Sequence, residues 1–349
     1  MLDHVAMISR IVLWPRIAIL LALGLGLLVA TAASAQDYGP QEIPRLWEYE
    51  WSETDFSKTS VDFSEIFSGG PPKDGIPAID EPAYRHVNLV ENIADSEPVI
   101  SLFIGGEKRA YPLRLLMWHE IVNDTLGGMP VAVTFCPLCN SSIVFERRIE
   151  GRELTFGTTG KLRNSDLVMY DRQTESWWQQ FLGEAIVGEM LGHRLKALPS
   201  RVESFARFRM RAGDGPEVTV VVPKNKWARA YGQNPYRGYD SAAKPFLYRG
   251  ELPDGIAPLA RVVVINGEAW SLDLVREQGR IETGDNVITW EAGQSSALDA
   301  AKIAQGRDIG NVVVQREGAA GPEDVVHDIS FAFAFHAFFP DGTIHTAID

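Results

Sequence analysis

Only two cysteines occur in 349 residues, and they stand three apart at Cys136 and Cys139. A link between them would close a single turn, so no disulfide can staple distant segments and stability must come from a packed core. The pair lies in Phe135-Cys136-Pro137-Leu138-Cys139-Asn140, at the end of the apolar run 131–135. An isolated C-x-x-C of this kind serves metal binding, redox exchange or one local cross-link.

Residues 1–35 read as an export leader. Arg10 and Arg16 precede the apolar stretch 17–30, and Ala33-Ser34-Ala35 has the small-residue arrangement that predicts cleavage after Ala35. A periplasmic or secreted protein is expected. The alternative is a retained anchor helix, because 17–35 is just long enough to span a bilayer. No membrane span is expected after the leader. The formal net charge of −13 argues against nucleic acid or anionic lipid as the main partner.

Residues 36–72 form an N-terminal extension with an aromatic cluster at Trp47, Tyr49 and Trp51, and the turn-rich stretch 69–77 opens a body that runs from 73 to 349. Short apolar runs punctuated by glycine dominate that body. Runs 99–104 and 109–113 about Gly105-Gly106 predict a hairpin. Apolar residues at 113, 116, 117 and 121 predict a helix over 113–122 that carries Trp118, His119 and Glu120. Run 131–135 reads as a buried strand delivering the cysteines, 143–145 and 154–156 as a hairpin about Glu150-Gly151, and 167–170 as a further strand. Phe331-Ala332-Phe333-Ala334-Phe335-His336 alternates large and small, which predicts a strand with its aromatic face inward. The fold class is α+β, mainly β, with antiparallel sheets and few short helices.

An internal repeat supports that class. Gly106-Glu107 with Leu113 recurs as Gly267-Glu268 with Leu274; Val133-Thr134-Phe135 recurs as Ile288-Thr289-Trp290, and Gly151-Arg152-Glu153-Leu154 as Gly306-Arg307-Asp308-Ile309, the last two in one register. Asp74-Gly75-Ile76 and Asp254-Gly255-Ile256 open the two copies, which implies a duplicated β-rich unit with halves at 73–240 and 250–349. In that register Cys136 and Cys139 correspond to Glu291 and Gln294, so only the first copy carries thiols.

The thiols offer two soft donors from one tight turn, and a metal site needs one or two more. His119 is the favoured third ligand, with Glu120, Met169, His193 and His336 behind it. Such a set suits copper or zinc. The residues after the second cysteine are Asn140-Ser141-Ser142 and then a strand, where a thioredoxin-like pair would open a helix; a metal-binding turn is the better reading. The rivals are a thiol-disulfide oxidoreductase and a scaffold protein with a local disulfide. A second group, Arg163, Asn164, Asp171, Arg172 and Glu175, is close in sequence and could line a polar pocket or satisfy tight turns. The glycines near Lys161 do not make a phosphate loop, which would require glycine at Thr155 and Ser or Thr at Leu162. Trp177-Trp178 is expected to fill the core.

The chain resembles the exported proteins grouped as domain of unknown function 3179. The resemblance rests on Gly70-Pro71-Pro72-Lys73-Asp74-Gly75-Ile76-Pro77, Ala110-Tyr111-Pro112-Leu113, Trp118-His119-Glu120-Ile121-Val122-Asn123-Asp124, Cys136-Pro137-Leu138-Cys139, the stretch 162–171, Thr174-Glu175-Ser176 and Phe338-Phe339-Pro340-Asp341. It implies export and marks the His119 and cysteine motifs as defining features. That family usually has glycine after the second cysteine; Asn140 stands there and tolerates the left-handed backbone such a turn needs.

Overall fold

The computed structural model describes residues 41–224 and 229–348. The leader expected at 1–35 lies outside the described residues. The elements that position the site run in chain order as α1 (Arg45–Glu50), β1 (Ile66–Ser68), β2 (Pro98–Ile104), β3 (Glu107–Pro112), α2 (Leu113–His119), β4 (Ile121–Leu126), β5 (Met129–Thr134), β6 (Val144–Glu146), β7 (Phe156–Arg163), β8 (Asp166–Asp171), β9 (Trp177–Gln179) and β10 (Glu184–Val187). They continue as β11 (Arg261–Ile265), β12 (Glu268–Ser271), α3 (Leu272–Gln278), β13 (Arg280–Thr283), β14 (Asn286–Glu291), β15 (Asn311–Gly318), β16 (Asp328–Phe331) and α4 (Ala332–Phe338). The fold is mainly β, in several small and largely antiparallel sheets with short helices. No helix among the described residues is long and apolar enough to cross a membrane.

The hairpin β2–β3 pairs Ile104 with Glu107 across Gly105 and Gly106, whose φ values of 57° and 86° are left-handed. A Cβ on Gly105 would lie 2.9 Å from the Gly127 carbonyl oxygen, so the turns of hairpins β2–β3 and β4–β5 pack glycine against glycine. Helix α2 follows β3 directly and buries Leu113, Leu115, Leu116 and Met117. It is shorter than the periodicity predicts. Glu120 turns left-handed (φ 59°, ψ −31°) and Ile121 already starts β4.

The same sequence of elements recurs in β11–β12–α3–β13–β14. Asn266 and Gly267 (φ 52° and 82°) replace the two turn glycines, α3 has seven residues like α2, and Gly279 (φ 68°, ψ −34°) occupies the corner where Glu120 stands. The Phe135 N–H donates to the Glu120 carbonyl at 2.8 Å, and the Trp290 N–H donates to the Gly279 carbonyl at 3.1 Å. The register that aligns Phe135 with Trp290 is therefore structural. The Gly151 match is not: Gly151 has φ 79° in a hairpin turn, whereas Gly306 follows a single 3-10 turn with φ −62°.

Sheet β1–β7–β8–β9–β10 carries the aromatic weight of the N-terminal half. Trp177 and Trp178 are fully buried. On one side Trp47, Trp51 and Phe56 surround Trp177 at 5.0–5.3 Å between ring centroids, so these three side chains anchor the N-terminal segment in the core of the sheet. Each such aromatic burial contributes roughly 2–3 kcal/mol.

The strand expected over 331–336 is corrected. Only Phe331 closes β16; Ala332 through Phe338 are helical. Ala332, Phe333, Ala334 and Phe335 are all fully buried, so the first turn of the helix is enclosed on every side and offers no polar stripe to reveal a helical period.

Candidate metal centre

Strand β5 ends at Thr134 and delivers the cysteine turn into the core. The turn is closed by the Cys136 N–H donating to the Ser141 carbonyl at 2.8 Å, and Asn140 adopts φ 54° as the sequence anticipates. It is clamped to β16 on its far side. Phe331 N–H donates to the Cys139 carbonyl at 2.8 Å, Asn140 Nδ2 to the Ile329 carbonyl at 2.8 Å, and Ser142 N–H to Asp328 Oδ1 at 2.8 Å.

The third donor comes from the β7–β8 hairpin. Its two-residue turn, Asn164-Ser165, has both φ values positive (52° and 64°), the geometry that matches strand twist. The turn lies against the thiols: the Ser165 carbonyl is 3.4 Å from Cys139 Sγ and 3.8 Å from Cys136 Sγ. Asp166 follows. Ligand atoms of Cys136, Cys139 and Asp166 all lie within 4.8 Å of one another, and all three residues are buried. Asp166 Oδ2 accepts from Gln179 Nε2 at 2.6 Å and from Phe181 N–H at 3.0 Å, whereas Oδ1 is buried and, among the described residues, has no nitrogen or hydroxyl donor, the two thiols being what faces the carboxyl.

Burial pushes the Asp166 carboxyl up to about 7 and raises both thiols, Cys139 furthest. Glu120 is buried, and its carboxyl is pushed up to about 8 by burial and by the charge of Asp166. Tyr236 and Tyr239 close the outer side: the Tyr239 hydroxyl donates to the Leu138 carbonyl at 3.1 Å, and both phenols are raised by burial and by the nearby thiols. A cavity of about 530 Å³ lined by Leu138, Tyr236, Tyr239 and Phe246 opens over the cysteine turn. Two thiols and one carboxyl in this arrangement can ligate a tetrahedral ion and leave a fourth position free.

A family model described as "Protein of unknown function (DUF3179)" matches residues 73–342. The chain belongs to this family. No curated protein and no solved structure matches it. The DUF3179 match spans every residue of the centre as well as His119.

In this DUF3179 chain His119 is not the donor gathered with the thiols. It is fully buried, with Nδ1 2.7 Å from the Pro77 carbonyl and Nε2 2.8 Å from the Tyr231 hydroxyl, and its ring stacks on Tyr231. A carbonyl only accepts, so Nδ1 carries the proton and Nε2 accepts from Tyr231; burial lowers the imidazole pKa and keeps it neutral. The left-handed corner at Glu120 separates the two side chains: His119 points to the Pro77 segment and Glu120 feels Asp166 and Cys136. His193 holds the Met190 carbonyl, and neither it nor His336 joins the cluster; Met169 is a fully buried core residue.

The polar group is split between the two ends of hairpin β7–β8. Arg163, opposite Asp166, pairs with Glu65 beside the Asn164 turn, whereas Asp171, opposite Phe156, accepts from Thr174 and Trp178 at the other end. Arg172 pairs with Asp80 and Glu175 with Lys73 at that same far end. These side chains tie turns to the N-terminal segment. Asp166 carried a legible signal, because it closes Leu-Arg-Asn-Ser-Asp ahead of an apolar strand, but its proximity to the thiols depends on how that hairpin docks.

Proposed function

We propose that the chain is an exported metal-handling protein whose ion is held by Cys136, Cys139 and Asp166. Asp166 Oδ1 carries the reading: a buried carboxylate oxygen with no amide or hydroxyl donor, and only the two thiols beside it, is what a cation would satisfy. Two thiolates with one carboxylate suit zinc better than copper, since copper(I) favours sulfur alone and blue-copper electron transfer needs two histidines beside the cysteine. Metal handling is therefore favoured over electron transfer. Thiol exchange fits less well, because catalytic pairs have lowered thiol pKa values and burial raises both of these.

Metal analysis of protein recovered from the periplasm, wild type against Cys136→Ser, tests the proposal. Stoichiometric zinc in the wild type and none in the variant is expected. Equal metal content in both ends it.

A further inference from the structure

We propose that the second copy of the repeat holds a binding site for a small organic monocarboxylate, in a cavity anchored by Arg261. The cavity measures about 630 Å³ and lies between the start of β11, the start of α3 and the segment 307–309. That is the size of a small-molecule pocket. The first copy shows the same place closed. Ile265 pairs with Glu268 as Ile104 pairs with Glu107, which makes Leu259 and Arg261 the counterparts of Pro98 and Ile100. Leu272 opens α3 as Leu113 opens α2, and Trp290 follows Phe135 in the shared register. Pro98, Leu113 and Phe135 line a void of only about 20 Å³, room for one water, whereas Leu259, Leu272 and Trp290 line the large cavity. The repeated elements therefore do not require the open space.

Arg261 is the second difference. Ile100 is fully buried at the equivalent strand position, so an apolar residue suffices there for the fold. Arg261 is only 7% exposed, and a charge in such a place is costly. Its hydrogen bonds to Asp240 Oδ2 (3.0 Å) and Ser296 Oγ (2.8 Å) both leave from Nη2, while Nε is buried with no acceptor among the described residues. The carboxylates of the lining are already engaged. Asp240 accepts from Arg261 and Arg307, Asp308 accepts from the N–H groups of Gly293, Gln294 and Gly310, and Asp273 pairs with Arg276. What the cavity leaves unmatched is a donor, so its ligand brings an acceptor. Three arginines and three aspartates balance in the lining, which leaves no surplus positive charge for a dianion such as phosphate. A single carboxylate suits the planar guanidinium, and Leu259, Leu272 and Trp290 take an apolar body.

The experiment is a calorimetric titration of the purified protein with benzoate and hexanoate, against benzyl alcohol, hexanol and inorganic phosphate, repeated on Arg261→Met and Ala257→Trp. Ala257 is an exposed residue of the lining, where an indole would occupy the cavity without disturbing the core. At least one carboxylate is expected to bind once per chain, with the alcohols and phosphate weaker by about tenfold or more. Arg261→Met is expected to lose about tenfold or more in carboxylate affinity, and Ala257→Trp to abolish binding with an unchanged melting temperature. The inference is overturned if neither carboxylate binds in the low millimolar range, if an alcohol or phosphate binds as well as the carboxylates, or if either folded variant binds like the wild type. Should Arg261→Met not fold, Ala257→Trp and the comparison of each carboxylate with its alcohol decide.

Discussion

The Ser165 carbonyl sits 3.4 Å from the sulfur of Cys139, although 26 residues separate them along the chain. That contact seats the β7–β8 turn on the cysteine turn and brings the next residue, Asp166, to the thiols. A hairpin that docked one residue out of register would turn Asp166 to the other face of its strand.

Asp166→Asn keeps the side-chain shape and an acceptor for the Phe181 N–H. It removes the ionisable oxygen that faces the sulfurs. Zinc affinity measured by chelator competition is expected to fall by about a hundredfold, whereas the metal-free melting temperature moves by less than about 4 °C. A variant that binds zinc like the wild type would exclude Asp166 as a ligand.

His119→Phe separates a structural histidine from a ligating one. The ring is retained, but the Pro77 carbonyl and the Tyr231 hydroxyl each lose a buried partner, at a cost of about 2 kcal/mol or more. Denaturant unfolding is expected to show that loss while metal stoichiometry stays at the wild-type level. A variant that folds normally yet purifies without metal would restore His119 as a ligand.

At Asn140 the turn demands φ 54°, and the side chain also holds the Ile329 carbonyl at 2.8 Å. Asn140→Ala loses both advantages and is expected to destabilise by about 2 kcal/mol, and Asn140→Gly by about 1 kcal/mol, because glycine relieves the backbone term. Thermal melts of the two variants check the order. Equal losses would show that the backbone term is absent.

Stability should depend on acid through Asp240, which is fully buried against Arg261 (3.0 Å) and Arg307 (2.9 Å) and accepts from Ser296 at 2.6 Å. Burial opposes its ionisation, but Arg261, Ser296 and Arg307 together hold its pKa below the ordinary value. The folded state therefore binds this proton less readily than the unfolded state. Its stabilisation is present above about pH 3.9, the unfolded value, and is lost as pH falls through the folded one. Asp240→Asn also leaves Arg261 buried without its counter-ion and is expected to cost about 3 kcal/mol at pH 7. Urea unfolding at neutral pH and near pH 3 should show that gap narrowing in acid; a constant gap would refute the assignment.

Local pattern made much of the fold legible. The Gly105-Gly106 hairpin, the β5 strand that delivers the cysteines and the left-handed turn at Asn140 all follow from residue types whose backbone preferences act over a few positions. The Phe135–Trp290 register was legible too, because duplicated hairpins keep their pairing. Helix α4 was not: its Phe-Ala alternation imitates a strand, and a first turn buried on all sides shows no amphipathic period. His119 followed the same logic at the site. Closeness in sequence to the cysteine strand suggested a ligand, and the corner at Glu120 turned it away.

The sequence by itself determined that two sulfurs would be offered from one tight turn in a mainly β chain of duplicated units, because turns and hairpins are set by neighbouring residues. Tertiary structure alone decided that Asp166 joins those sulfurs and that His119 serves Pro77 and Tyr231 instead. The physical reason is that a ligand set is assembled from segments far apart in the chain. Which of them meet depends on hairpin register and on the docking of whole sheets, and no single segment encodes that.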